Sequence, residues 1–220
     1  MDEEVKYCRM FLVRHGESEW NVLGLVQGHM NSPLTPRGEE QAQVTAEILR
    51  DVEFDEIFSS DLVRAKRTAE IVKLERELEV LTTEALREQH FGSLEGQPSQ
   101  ELRAHFEKWK FLSNNAERFA QRFVPDMETA EEALTRLITF LREIAVAYAG
   151  KTVLIATHGT LMHNFLLKLN YAFAEELVKV ENGAFIELES DGIDFFIRHT
   201  YGIRLTDDDP LDDDDEYEEE

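Results

Sequence analysis

The sequence predicts an α/β fold: a three-layer α/β/α arrangement with a mostly parallel central sheet and a small helical cap insertion. Short apolar runs typical of buried strands alternate along most of the chain with segments of helical periodicity. Residues 97–150 interrupt this alternation with a stretch whose periodicity is almost purely helical. Near the C-terminus, two alternating segments flank Ser190-Asp191-Gly192, which is typical of an antiparallel hairpin.

The predicted strands are short apolar segments that end at polar residues or glycine. The first, at 6–14, stops abruptly before a histidine and a glycine, which is typical of a buried strand that enters a tight turn. The others are expected at 55–59, 79–81 and 152–157, with the hairpin strands at 182–189 and 193–200. Open α/β sheets bind their ligands outside the C-terminal ends of strands, so the residues that end these strands are candidates for function.

The predicted helices follow from apolar residues at helical spacing and from capping residues. Thr35 and Pro36 supply an N-cap and a first helical position, so a helix is expected to begin there and to end near residue 51. The remaining helices are expected at 62–74, 99–112, 129–149 and 159–169. The segment 17–36 contains two glycines and two prolines and is predicted to be irregular.

Length and charge indicate one domain followed by an acidic tail. The chain has 220 residues, and residues 1–206 are expected to form a single α/β domain with the helical cap insertion at about 97–150. Residues 207–220 carry eleven acidic side chains and no basic one, which predicts a disordered tail. The net charge of −23 argues against nucleic acid and against anionic membrane surfaces as partners.

The cysteine content and the apolar runs predict a cytoplasmic protein. Cys8 is the only cysteine, which excludes an intrachain disulfide and suits a reducing compartment. No apolar run approaches the roughly 20 residues that a membrane-spanning helix needs. The acidic first residues precede no apolar segment of signal-peptide type, so export is not expected. The sequence contains no feature that predicts an oligomeric state.

Charged and polar residues at the ends of several predicted elements suggest one anion site. They are Arg14, His15, Asn21, Arg64, Glu88 and His158. Guanidinium groups match phosphate oxygens bidentately, and His158-Gly159 begins a predicted helix whose N-terminus attracts anions. A neutral imidazole is an accepted nucleophile when a bond to its other nitrogen fixes the tautomer, and a carboxylic acid such as Glu88 can protonate a departing oxygen.

Several segments in this chain order resemble the motifs of the histidine phosphatase (phosphoglycerate-mutase-like) superfamily. These segments are RHGES at 14–18, Asn21, SPLTPRG at 32–38, SSDLVRA at 59–65, Glu88 with FGSLEG at 91–96, and THG at 157–159. The resemblance covers about residues 6–200. A single Arg-His-Gly is a weak motif, but the combination is highly specific.

The resemblance implies a phosphatase that hydrolyses a small phosphorylated metabolite without a metal or an organic cofactor. His15 would form a phosphohistidine, while Arg14, Arg64 and His158 hold the phosphoryl oxygens. Asn21 matches a phosphate-contacting asparagine, and Glu88 matches the proton donor, which would later serve as the base for water. The five other histidines lack metal-ligand spacing, which agrees with the expectation that no metal site is present.

Two other functions remain open at the level of sequence. Trp20-Asn21 resembles the mutase branch of the superfamily, which favours phosphoryl transfer within a small phosphorylated metabolite, as in a phosphoglycerate mutase. Against it, only about seventy residues separate Glu88 from His158, and an adjacent arginine pair typical of those mutases is missing. A regulatory protein acting through its acidic tail is the third alternative, disfavoured because His15, Arg64, Glu88 and His158 are all present.

Overall fold

A computed structural model describes residues 5–106, 115–171 and 177–206, which form a six-stranded sheet covered by helices on both faces. The strand order is β3-β2-β4-β1-β5-β6. The strands are β1 (Cys8–Arg14), β2 (Glu56–Ser60), β3 (Val80–Thr83), β4 (Thr152–Thr157), β5 (Leu177–Ser190) and β6 (Phe195–Thr206). β1 to β4 pair in parallel and β5 and β6 pair antiparallel, which confirms the predicted α/β fold with a mostly parallel sheet.

Seven α-helices accompany the sheet in the described part of the chain. They are α1 (Glu19–Val22), α2 (Pro36–Ile48), α3 (Val63–Val72), α4 (Ser99–Phe106), α5 (Asn115–Phe119), α6 (Ala130–Ala147) and α7 (Gly159–Lys168). α2 and α3 pack on one face of the sheet, and α6 and α7 on the other. Alternate residues of β1 divide between the two cores: Met10 and Leu12 face α6 and α7, whereas Phe11 and Val13 face the other layer.

The described residues between 97 and 150 are helical or irregular. α6 begins with a capping box in which Thr129 accepts from the Glu132 N–H and the Glu132 carboxylate accepts from the Thr129 N–H. Its apolar stripe, including Leu134, Leu137 and Leu141, belongs to the same core as β1 and β4, so this helix forms part of the layer over the sheet. α4 accounts for residues 99–106 of the predicted helix 99–112, and the rest of that prediction, 107–112, lies outside the described residues.

Three details of the sequence-based prediction differ from the structure. The segment 17–36 is not wholly irregular, because Ser18 and Asn21 close a capping box that forms the one-turn helix α1. The terminal hairpin is longer than predicted, since β5 already begins at Leu177 and β6 continues to Thr206. The segment between β3 and α4, for which neither a helix nor a strand is predicted, contains two 3-10 turns, Glu84–Leu86 and Gly92–Leu94.

Two further expectations concern the ends of the chain and its relation to membranes. The predicted disordered tail, 207–220, lies outside the described residues. None of the helices in the described ranges is both long and apolar enough to span a bilayer.

Cys8 is fully buried in β1, and burial raises the pKa of its thiol to about 11, as expected for a cysteine that only packs.

Candidate active site

The two histidines of the predicted site meet because their strands are neighbours. β1 and β4 pair in parallel with Arg14 opposite Thr157, so the residues that follow them, His15 and His158, leave the sheet side by side. The His15 N–H continues the ladder by donating to the Thr157 carbonyl at 3.1 Å. The centroids of the two imidazole rings are 5.2 Å apart, with the rings inclined at 63°. More than a hundred residues of sequence therefore separate two side chains that lie in contact.

Hydrogen bonds on both sides of the His15 ring fix its tautomer. Nδ1 lies 2.7 Å from the Gly16 carbonyl oxygen, which can only accept, so Nδ1 carries the hydrogen. Nε2 is then left with a lone pair, and Arg64 Nε donates to it at 3.2 Å. Burial, followed by the charges of Arg64 and Arg14, holds the pKa of His15 well below its usual value. The imidazole is therefore neutral near pH 7, with its lone pair on Nε2 and directed towards Arg64.

Arg64 is held at the centre of the site by its own backbone contacts. It lies in the first turn of α3 with 1% of its surface exposed, and its two terminal nitrogens donate to the carbonyls of Met30 and Gly28 at 2.8 Å each. Burial lowers the pKa of its guanidinium to about 10, which leaves the group charged near neutral pH. A fixed positive charge thus lies directly beside His15 Nε2.

Arg14 and His158 carry buried nitrogens that no group in the described part of the chain satisfies. Arg14 donates through Nη1 to the Val180 carbonyl, but its Nε has no hydrogen-bond partner there. Both ring nitrogens of His158 are equally unpartnered, and His158 is completely buried. Burial, then the charge of Arg64, lowers the pKa of His158 well below its usual value. Unsatisfied buried donors are costly, so this set is suited to an incoming ligand rich in acceptors, such as an oxyanion.

The carboxylate of Glu88 lies at the first turn of α7, which directly follows His158. One carboxylate oxygen accepts from the N–H groups of Gln89 and Leu161, and the other accepts from Thr160, all at 2.9 Å. The side chain is 7% exposed. Glu88 therefore holds the N-terminus of the helix that follows the second histidine, a contact that the sequence analysis did not predict.

Glycines allow close approaches of backbone around the site. A Cβ on Gly16 would lie 2.1 Å from the carbonyl oxygen of Gly38, and one on Gly159 would lie 2.8 Å from Arg14 Nε. Gly159 opens α7, as expected for the predicted anion-binding helix N-terminus. The loop after β1 can therefore lie against α2, and Arg14 can lie against the first turn of α7.

Asn21 lies in the one-turn helix α1, within the segment that was predicted to be irregular. Its side-chain oxygen accepts from the backbone N–H of Ser18 at 3.0 Å, and the Ser18 hydroxyl lies 2.9 Å from the same oxygen. The structure thus brings together His15, Arg14, Arg64 and His158, with Glu88 beside them at α7. The contact of Asn21 with phosphate stays a prediction.

Two further polar residues form hydrogen bonds to the backbone around His15, and neither lies in a recognisable sequence motif. Thr68 accepts from the Gly16 N–H at 3.1 Å and donates to the Arg64 carbonyl at 2.8 Å, so it joins the loop that follows β1 to α3. Asn182 donates to the His15 carbonyl at 3.1 Å from β5. Each is a single polar residue in an ordinary element, and only the observed packing shows its contact.

The remaining histidines do not assemble a metal centre in the part of the chain that is described. His29 and His90 face each other with ring centroids 4.8 Å apart, and His163 bonds through Nδ1 to the Val178 carbonyl. Within these residues no three His, Cys, Asp or Glu side chains lie close enough to hold a metal ion. The absence of a metal from the reaction stays a prediction.

The relatives of this chain include a protein named as a phosphatase and one named as phosphoglycerate mutase-like. "Uncharacterized phosphatase PhoE" of Bacillus subtilis is 36% identical over 159 residues, covering 72% of this chain and 76% of that protein. "Phosphoglycerate mutase-like protein 4" of Arabidopsis thaliana is 36% identical over 160 residues, covering 71% of this chain and 69% of that protein.

The fold also matches solved structures over most of its length. The crystal structure of phosphoglycerate mutase from Bacillus anthracis superposes with a TM-score of 0.77 at 25% identity, over 90% of this chain and 94% of that chain. The sequence model of the histidine phosphatase superfamily (branch 1) matches residues 10–201, which include every residue of the site described above. The chain therefore belongs to the histidine phosphatase superfamily.

Proposed function

We propose that this protein is a phosphomonoester hydrolase that works without a metal through a phosphohistidine at His15 Nε2. One observation carries the proposal: the nucleophilic nitrogen faces a charged arginine, Arg64, and lies beside the unpartnered nitrogens of Arg14 and His158. This arrangement pairs a neutral nucleophile with a fixed positive field, which suits a phosphate dianion. The substrate would be a small phosphorylated metabolite.

In the first step, His15 Nε2 attacks phosphorus and the bond from phosphorus to the ester oxygen breaks. Arg14, Arg64 and His158 hold the phosphoryl oxygens, with Asn21 and the N-terminus of α7 at Gly159 as further donors. The departing oxygen takes its proton from Glu88, which lies beside His158 at the start of α7. The products of this step are the free alcohol and the phosphohistidine.

In the second step, water attacks phosphorus while the bond between phosphorus and nitrogen breaks. Glu88, now ionised, accepts the proton of the water, and inorganic phosphate leaves. His15 returns to its neutral state with the hydrogen on Nδ1, where the Gly16 carbonyl holds it throughout. We expect the enzyme to act in the cytoplasm, since its single cysteine is a free, buried thiol suited to reducing conditions.

The test is phosphate release from a panel of phosphorylated metabolites, with His15→Ala as the control. Loss of the nucleophile should lower kcat/KM by more than about 1,000-fold, as for nucleophiles in other enzymes. Rapid acid-free quenching should trap a base-stable, acid-labile phosphoryl group on the wild-type chain alone. Chelators should leave the rate unchanged. Full activity of His15→Ala, or inhibition by chelators that added metal reverses, would refute the proposal.

A mutase that moves phosphate within a small phosphorylated metabolite is the second candidate. The mutase-like relative from Arabidopsis thaliana and the Bacillus anthracis mutase structure favour it, together with Trp20-Asn21. The mutase requires that bisphosphoglycerate primes the enzyme and that isomerisation of phosphoglycerate is faster than release of phosphate. Rapid phosphate release with slow isomerisation would reject the mutase and retain the hydrolase.

A further inference from the structure

Arg136 of α6 joins this helix to the segment that carries Glu88. Its Nε and Nη2 donate to the two carboxylate oxygens of Glu128, each at 2.9 Å. Its Nη1 donates to the carbonyls of Ala85 and Arg87 at 3.0 and 2.6 Å, and Nη2 also donates to the Glu88 carbonyl at 2.8 Å. A guanidinium has five N–H donors, and here each one has an acceptor.

The segment that Arg136 holds is a single 3-10 turn followed by irregular chain. The 3-10 turn ends at Leu86, and the residues up to His90 belong to neither a helix nor a strand. Glu128 extends the contact past Glu88, because its carboxylate accepts from the His90 N–H at 3.1 Å and its own N–H donates to the His90 carbonyl at 2.8 Å. The Arg136–Glu128 pair therefore fixes the backbone on both sides of Glu88.

The side chain of Glu88 is held from the opposite direction. Its carboxylate accepts from Thr160 and Leu161 at the start of α7, directly after His158. The backbone of Glu88 is thus anchored to α6 and its carboxylate to α7. Both members of the ion pair are largely buried, with 23% and 18% of the Arg136 and Glu128 side chains exposed, so solvent competes little with these bonds.

We infer that Arg136 and Glu128 are positioning residues that set the location of the Glu88 carboxylate for proton transfer to the departing oxygen. The inference rests on the proposed function of Glu88. Arg136 acts on Glu88 through that segment, by holding three of its carbonyls at once. Small displacements of a catalytic group are costly, since a shift of about 1 Å can lower a rate about 100-fold.

Esters with different leaving groups separate such positioning from general stability. A weakly basic leaving group, as in 4-nitrophenyl phosphate, departs with little help from an acid. A more basic one, as in phenyl phosphate, needs the proton. A variant that misplaces Glu88 should lose activity mainly on phenyl phosphate, whereas a variant with less folded protein loses activity equally on both.

The experiment measures kcat/KM of Arg136→Lys and Glu128→Gln on both esters. Lysine keeps the charge but cannot reproduce the five planar donors, and glutamine keeps the volume but loses the charge. We expect a loss of about 30- to 100-fold on phenyl phosphate and of less than about 5-fold on 4-nitrophenyl phosphate. Arg142→Lys is the matched control, since Arg142 lies on the same helix and donates to the Ile193 carbonyl far along the chain. It should change neither rate more than about twofold.

Glu88→Gln distinguishes failure of this inference from failure of the proposed function. If Glu88→Gln shows no selective loss of activity on phenyl phosphate, Glu88 is not the proton donor, and both the proposed role of Glu88 and this inference are refuted. If Glu88→Gln shows the loss but Glu128→Gln and Arg136→Lys lose equally on both esters, or lose nothing, only the positioning role is overturned. Should Arg136→Lys fail to fold by circular dichroism, Glu128→Gln decides the question alone.

Discussion

A single backbone carbonyl fixes which ring nitrogen of His15 carries the hydrogen. The Gly16 carbonyl lies 2.7 Å from Nδ1 and holds the hydrogen there, while Arg64 approaches Nε2 from α3. The carbonyl belongs to the next residue in sequence and the arginine comes from a separate helix. The loop 15–17 must therefore keep its shape for His15 to keep its tautomer and its direction.

Gly16→Ala tests this dependence at the level of one residue. The added Cβ would lie 2.1 Å from the Gly38 carbonyl oxygen, a backbone atom that cannot turn aside. We expect a loss of about 2–4 kcal/mol in the free energy of unfolding, from overpacking and backbone displacement. Because the same displacement moves the Gly16 carbonyl, kcat should fall about 100-fold.

Gly24→Ala provides the comparison for that variant. Gly24 has a positive φ of 61°, but its Cβ would meet only the Ser99 hydroxyl at 3.8 Å. The cost should be limited to the backbone strain of about 1–2 kcal/mol, with kcat unchanged. Urea denaturation and initial rates measure both effects. Equal kcat values for the two variants would contradict the role assigned to the loop.

At the scale of elements, Arg76 joins the ends of two neighbouring helices. Its guanidinium donates to five carbonyls, and the distances lie between 2.8 and 3.3 Å. The acceptors are the carbonyls of Leu49, Arg50, Val52, Val72 and Lys73. The guanidinium also lies 5.0 Å from the centroid of the Phe54 ring. Four of these carbonyls lie at or directly after the C-terminal ends of α2 and α3, where helical N–H donors run out, and the fifth, that of Val52, lies just beyond α2.

Arg76→Leu should therefore destabilise the fold without altering the chemistry. Loss of several charge-assisted hydrogen bonds predicts a decrease of about 2–3 kcal/mol in the free energy of unfolding, with kcat within about twofold of wild type. Arg198→Leu is the control, because Arg198 also lies near an aromatic ring but pairs at the surface with Glu189. Its cost should stay below about 1 kcal/mol. Similar losses for the two variants in urea denaturation would contradict this account.

Elements with a strong local pattern were predictable, whereas those fixed by distant contacts were not. β4 was predicted at the observed residues, and Thr35 caps α2 as expected, because apolar runs and capping residues act locally. α1 has only four residues, too few to give a periodic signal. The extra length of β5 and β6 depends on their pairing with each other, which alternation of polarity does not specify.

At the scale of the whole molecule, two fully buried neutral histidines link stability to pH. Burial holds the pKa values of His15 and His158 well below 6.5 in the folded chain, whereas in the unfolded chain both titrate near 6.5. Below that pH the unfolded state binds more protons than the folded state. The free energy of unfolding should therefore be highest above about pH 6.5 and fall as the pH drops towards about 5.

Urea denaturation at several pH values between about 7 and 5 measures this slope. His158→Asn removes one of the two buried groups and should flatten the decline. His199→Asn, at an exposed position of β6, should leave it unchanged. An equally steep decline in wild type and His158→Asn would contradict the assignment.

The sequence predicted the residues of the candidate site, but it did not predict the residues that hold them in place. His15, Arg64, Glu88 and His158 lie in motifs whose residue types already suggest phosphoryl chemistry. Arg136 and Glu128 carry no such pattern, because an arginine on a helix and a glutamate just before that helix are ordinary surface residues in most sequences. Only the path of the chain between β3 and α4 brings three carbonyls to one guanidinium.

The parallel pairing of β1 with β4 has a consequence for how the molecule can change. The register of two central strands sets the positions of His15 and His158, and the described residues between 97 and 127, which are 97–106 and 115–127, pair with neither strand. Insertions, deletions or exchanges among these residues should leave the distance between the two imidazoles unchanged. A graft of residues 97–127 from another member of the superfamily, with Glu128 and Arg136 retained, should therefore change the surroundings of the site while His15 and His158 stay in place.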